Sequence, residues 1–203
     1  MKRLSLDEVE GINVFETLVW KPVRKTLGVT AFGINAYTAA NVGDLVVEEH
    51  DESQLGHEEI YVVFRGHATF TVAGAEVDAP AGTLVYLDDP TEQRSAVARE
   101  PGTTVLAVGG VPGRHDISAW EYFFPALPLV EQDRWAEVKP MIEDGLAAKP
   151  DHPALLLWLA RCEAHLDEPE AARAHAAQAL QQRPDLREYV RDETLLALLP
   201  EQS

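Results

Sequence analysis

The chain has 203 residues, 46% hydrophobic and 25% charged, which is enough for one good core and a smaller second unit and too apolar for disorder to dominate. Its 34 acidic against 17 basic residues leave a formal net charge of −17, spread over both halves, so a nucleic-acid or anionic-membrane surface would work against the protein's own field. The N-terminal MKRLSLDEVEGINVF turns acidic by position 7 and has no apolar run of leader length, no stretch approaches the ~18 apolar residues of a spanning helix, and Cys162 is the lone cysteine; a cytoplasmic location and no disulfide framework or thiolate cluster are expected.

From about Val29 to Val111 the chain reads as short strands rich in β-branched and aromatic residues: VTAFGINAYTA (29–39), DLVVEEH (44–50), EEIYVVFRG (58–66), HATFTVAG (67–74), AEVDAPAG (75–82), TLVYLDD (83–89) and TTVLAVGG (103–110). Gly, Pro and Asp punctuate them, and many short strands at roughly 8–12-residue spacing predict a closed or sandwiched β architecture. The stretch AWEYFFPALPLVEQ (119–132) is too aromatic for an exposed linker, and Trp120, Tyr122, Phe123 and Phe124 are expected to anchor the segments it joins.

From about Asp133 the pattern changes to Ala, Leu, Glu and Arg at helical spacing. A helix is expected around Trp135 to Ala148, with Pro140 placed to kink or restart it. ALLLWLARCEAHL (154–166) is apolar nearly all round and predicts burial on more than one side, and AARAHAAQALQQR (171–183) is small enough for close helix approach. Lys149-Pro150-Asp151 recurs as Arg183-Pro184-Asp185, 34 residues on. That period, with Leu156, Leu159, Ala160, Ala172 and Ala179 at its small-residue positions, resembles a tetratricopeptide repeat, although Glu163 and Ala176 stand where the repeat prefers aromatics. The tail LREYVRDETLLALL (186–199) resembles the helix that closes such arrays. The expected division is a β-barrel with an N-terminal extension over 1–118, an aromatic linker over 119–132 and a helical segment over 133–203.

Two spaced motifs in the β half carry a second resemblance. Gly43 opens the first, and Glu59 is followed by IYVVFR and Gly66; the second runs Gly74, AEVDA, Pro80, Ala81, Gly82. Both are similar to the paired motifs of the cupin superfamily, over roughly residues 30 to 111, and the resemblance implies a jelly-roll β-barrel followed here by a small tetratricopeptide-like α-helical segment. It also implies where a metal would be held: two histidines and a glutamate in the first motif, one histidine in the second.

At those places the chain departs from the pattern. With His50 as the first histidine, the second place falls on Glu52, and six residues separate Glu52 from Glu59 where the motif has three or four. His57, two residues before Glu59, shares its strand face if the strand has begun there and can stand in for the lost histidine. The last ligand place, thirteen residues after Pro80, is Gln93. One reading puts a divalent ion (Fe, Mn, Ni or Zn) on His50, Glu52, His57, Glu59 and Gln93, a mixed N/O set that suits several first-row metals. The other makes the histidines satisfied groups on a polar strand end and the EEHDE run a solvated loop.

Tyr61 and Tyr86 either face a ligand or fill core, Arg65 and Arg94 either meet an anion or stay solvated, and the remaining histidines read as structural or exposed. The expected function is a cupin-fold protein that binds a small molecule or a divalent metal in its barrel and carries a helical interaction or oligomerisation module, in a regulatory or accessory role. It is expected to be a homodimer with a protein partner on the helices. The alternative is a metal-dependent oxygenase, isomerase or lyase acting on a small polar metabolite; the residues leave open whether there is catalysis.

Overall fold

A computed structural model describes residues 3–14 and 17–200. Strands β1 (Ile12–Val14) and β2 (Leu18–Lys21) and a short helix α1 (Val23–Leu27) lead into β3 (Gly33–Ala39), β4 (Leu45–His50), β5 (Glu58–Arg65), β6 (His67–Val72), β7 (Ala75–Pro80), β8 (Leu84–Leu87), β9 (Arg94–Ala98) and β10 (Thr104–Gly110). All pairings are antiparallel, in a six-stranded sheet of order β1-β2-β3-β10-β5-β8 and a four-stranded sheet of order β4-β9-β6-β7. This is the double-sheet jelly roll that the strand spacing predicts. Three strands fall outside the seven read from the sequence: β1, β2 and β9.

Between the sheets, buried residues form one core: Tyr61 and Val63 of β5, Ala68 and Phe70 of β6, Val85 and Leu87 of β8 and Ala96 and Ala98 of β9 at period two, Val105 of β10, and the consecutive Val46 and Val47 of β4, where the register shifts. Outside the six-stranded sheet, Val9 and Val23 cover Ala36, with Leu6, Leu27, Ile34 and Leu106 packed around them. The motif glycines Gly43, Gly66, Gly74 and Gly82 all take positive φ. At Gly66 the requirement is doubled, because a Cβ there would also stand 2.9 Å from the Thr103 backbone.

The contacts divide the chain into two compact units, residues 1–115 and 116–203. In the second, α2 (Trp120–Phe123) and α3 (Leu127–Val130) are single turns, followed by α4 (Trp135–Ala148), α5 (Pro153–His165), α6 (Pro169–Gln182) and α7 (Glu193–Leu196). Asp133, Asp151 and Asp167 make the connections before α4, α5 and α6 in the left-handed conformation that Asp tolerates better than most residues. Helix α4 runs unbroken through Pro140. As its apolar girth predicts, α5 is buried on two sides: Leu155, Leu159 and Cys162 join Trp135, Val138 and Ile142, while Ala160 joins Ala176, Val190 and Leu195. Burial pushes the free Cys162 thiol up to about 12, so it is inert.

The tail differs from the single closing helix expected. A 3-10 segment (Pro184–Tyr189) stops at extended Val190, and α7 starts afresh where Asp192 accepts from the Leu195 N–H at 3.0 Å, because an aspartate favours a helix start over its middle. Of the four linker aromatics, Tyr122 and Phe123 pack on the helical unit's own core, with Phe123 stacked on Trp158, while Trp120 and Phe124 are exposed.

Candidate metal centre

Three elements bring the polar groups of the barrel together. Strand β4 ends at His50, directly across from Arg94 at the start of β9. Glu59 and Tyr61 lie two apart on β5, so the pleat turns both inward. Glu59 has room there because its partner on β10 is Gly109, where a Cβ would come within 3.0 Å of the Glu59 Cγ. Glu52 arrives from the loop between β4 and β5.

The hydrogen bonds fix the centre closely. Glu59 Oε2 accepts from Tyr61 Oη at 2.5 Å and from Arg94 Nη2 at 3.0 Å, and Arg94 Nη1 donates to the Glu92 carbonyl at 2.8 Å. Arg94 is the largest fully buried side chain among the described residues. His50 Nδ1 lies 2.7 Å from the Glu48 carbonyl and must donate to it, which leaves Nε2 facing Tyr61 Oη at 3.3 Å and Glu59 Oε2 at 3.8 Å. The tyrosine has one proton and gives it to Glu59, so Tyr61 can only accept from His50. Without a metal, both ring nitrogens of His50 therefore face acceptors, and the network assigns the imidazolium.

The electrostatics agree. His50 is held above its ordinary value, chiefly by the Glu59 carboxylate, against burial. Burial works to raise Glu59, but His50, Tyr61 and the Arg94 charge outweigh it and hold it below the usual carboxylate range. Tyr61 is raised far above its ordinary value by burial and the Glu59 charge, and Tyr37 is pushed up to about 12 by burial and by Glu48, Glu59 and Glu52.

One ligand atom each from His50, Glu52 and Glu59 lies within 4.8 Å of the others. These line a cavity of about 140 Å3 with Tyr37, Val47, Glu48, Tyr61 and Ala107. Three donors bound to one first-row ion at about 2.0–2.2 Å stand about 3.3–3.8 Å apart, and His50 Nε2 and Glu59 Oε2, at 3.8 Å, are already near that separation. Two observations favour the fit. Glu52 Oε2 is buried and has no hydrogen-bond partner. The Nδ1–H of His50 is pinned by a backbone carbonyl, the device that orients metal-ligating imidazoles. Arg94 opposes it in part by holding one oxygen of Glu59.

The other two residues singled out by the motif are placed elsewhere. His57 stands behind Glu52, its Nδ1 3.6 Å from Glu52 Oε2, and is not in the cluster. Gln93 points outward and donates to Asp51 Oδ2 at 2.8 Å, while the next residue, Arg94, takes the inward place. Arg65 pairs with Asp7 on the surface, and the exposed Tyr86 donates to Glu58.

Residues 129–199 match the tetratricopeptide repeat family model. Among solved structures, the chain is similar to KdgF from Halomonas sp. (17% identity, covering 51% of this chain and 86% of that one, TM-score 0.42). It is also similar to a sugar phosphate isomerase from a cupin superfamily of Silicibacter pomeroyi (17%, 53% and 74%, TM-score 0.45) and to a cupin protein from Bacteroides fragilis (19%, 54% and 90%, TM-score 0.40). The chain matches none of the curated proteins with which it was compared. No helix among the described residues is long and apolar enough to cross a membrane.

Proposed function

We propose that the β unit is a small binding module that holds one divalent first-row metal ion on His50, Glu52 and Glu59, and that the helical unit is a protein-interaction module, the whole acting in a regulatory or accessory role in the cytoplasm. The observation that carries the reading is Glu52 Oε2, a buried carboxylate oxygen with no donor beside an oriented imidazole. A buried carboxylate oxygen without a hydrogen-bond donor is unfavourable, and a cation beside it would relieve that. Bound there, a metal would supply Lewis acidity to whatever shares the cavity. At about 140 Å3 the cavity is smaller than the ~300–1,000 Å3 of ordinary ligand pockets, so an ion and a ligand of a few heavy atoms would fill it. This favours binding over turnover of a large substrate.

The reading includes a homodimer through the β8 edge, supported by the outward row of Phe64, Leu84 and Tyr86, each about half exposed or more, beside Ile60 and Val62. Light scattering of the purified protein tests it, and a strictly monomeric mass would refute it. Elemental analysis of protein purified without chelators tests the metal. Close to one equivalent is expected, lost in His50→Ala and reduced but still measurable in Glu52→Gln, whose amide oxygen is a weaker ligand; less than about a tenth of an equivalent in the wild type, with no gain on reconstitution, would sink the reading.

A further inference from the structure

We infer that Gln93, through Asp51, is a positioning residue that sets Glu52 in the metal cluster; this rests on the metal reading above. Glu52 is the one member of the cluster that no strand holds. Its place depends on the loop between β4 and β5, and a ligand on a loop is held only as well as the loop is tied.

The ties run to a second loop, between β8 and β9. The Glu52 N–H donates to the Pro90 carbonyl at 2.8 Å, and Gln93 Nε2 donates to Asp51 Oδ2 at 2.8 Å. The other oxygen of Asp51 accepts from Ser53 N at 3.0 Å and Ser53 Oγ at 2.5 Å, which closes the turn around Glu52. The Glu52 carbonyl then accepts from Leu55 and Gly56 at 3.0 and 2.7 Å. Asp51 is thus shared between the turn that carries Glu52 and the side chain that fastens that turn to β9. β4 and β9 are paired at His50 and Arg94, and their next residues, Asp51 and Gln93, meet on the outside of the same junction. Inside it lie His50 and the guanidinium that holds Glu59. The same junction therefore meets all three ligands: it carries His50 on β4, holds Glu59 of β5 through the Arg94 guanidinium, and fastens Glu52 through the Asp51–Gln93 bond.

The test is calorimetric titration of the full chain with Mn(II) and Ni(II). Gln93→Leu is expected to weaken binding about tenfold, the size of effect outer partners have on metal ligands. Melting of the metal-free protein should hardly move, because Gln93 is exposed. Gln93→Lys keeps a donor for Asp51 and should stay near the wild-type affinity. In a Glu52→Gln background, Gln93→Leu should change nothing further, since its effect runs through Glu52. Wild-type affinity in Gln93→Leu overturns the inference while leaving the metal reading intact. So does equal weakening with and without Glu52, or a Gln93→Lys protein as weak as Gln93→Leu. A wild-type chain that takes up neither ion overturns the metal reading and this inference with it.

Discussion

Replacing Arg94 by methionine keeps most of the side chain's apolar volume and removes its charge, so it isolates what the buried guanidinium does. In the native protein this group has no exposed surface and donates to Glu59 Oε2 at 3.0 Å and to the Glu92 carbonyl at 2.8 Å. Removing one partner of a buried ion pair costs about 3–5 kcal/mol, because the other charge is left behind. Glu59 is 12% exposed and keeps the Tyr61 hydroxyl at 2.5 Å, so the lower end applies, about 3 kcal/mol. Native-state hydrogen exchange is the assay, read at the amides of β5 and β9, whose ladders flank the lost bond. A loss of about 3 kcal/mol speeds exchange through global opening roughly a hundredfold. Metal at about a hundred times its dissociation constant should return roughly 2.7 kcal/mol to the wild type, and more to Arg94→Met, where the ion replaces the missing positive charge. An increase of less than about fivefold in β5 and β9 would mean that Glu59 does not depend on Arg94, and the account of the centre would fail.

The stability of the metal-free protein should follow its two shifted groups. His50, raised when folded, contributes in full below its unfolded value of 6.5 and loses that contribution as pH rises through the raised value; Glu59, depressed when folded, contributes above its unfolded value of 4.5 and loses it as pH falls through the lowered one. Thermal melts across pH should show a plateau between these limits, and His50→Gln should abolish the alkaline decline; an unchanged decline would refute the assignment of the imidazolium. In the helical unit, Glu163 is 3% exposed and bonded to His175 Nδ1 at 2.8 Å. Denaturant melts should show His175→Ala costing about 3 kcal/mol, by stranding a buried carboxylate, and Glu163→Leu close to neutral. The reverse order would contradict the reading of the pair.

Gly66, Gly74 and Gly82, each at a turn, announced themselves because positive φ has few alternatives, and the helices were legible because Ala, Leu and the 34-residue repeat of Lys149-Pro150-Asp151 keep one period. Strand β9 was not, and the reason is chemical. RSAVA alternates correctly, with Arg94, Ala96 and Ala98 inward and Ser95 and Val97 outward, but an arginine at an inward position conceals the pattern. Gly109 gave a usable signal, a glycine inside a strand where another group approaches closely, and it marks the place of Glu59. At Glu163, where the repeat prefers an aromatic residue, the chain places a buried carboxyl group bonded to His175 Nδ1 at 2.8 Å.

The missed strand matters most for the site, because a period of two turns a one-residue question of register into a different chemistry. Had Gln93 faced inward, the cluster would hold a neutral amide; with Arg94 inward it holds a fixed positive charge on Glu59. The charges then explain the proton on His50. Glu52 and Glu59 carry two negative charges, Arg94 offsets one, and the imidazolium offsets the other. Glu48 on the cavity wall leaves the cluster one charge negative. A divalent ion would have to displace the His50 proton to reach Nε2, so uptake is expected to release a proton and to tighten as pH rises. The exchange adds one net positive charge to a cluster that was one negative, which leaves it near neutral. A cavity so balanced would take a cation without stranding a charge, and the one buried side-chain oxygen without a donor among the described residues, on Glu52, lies where that cation would meet it.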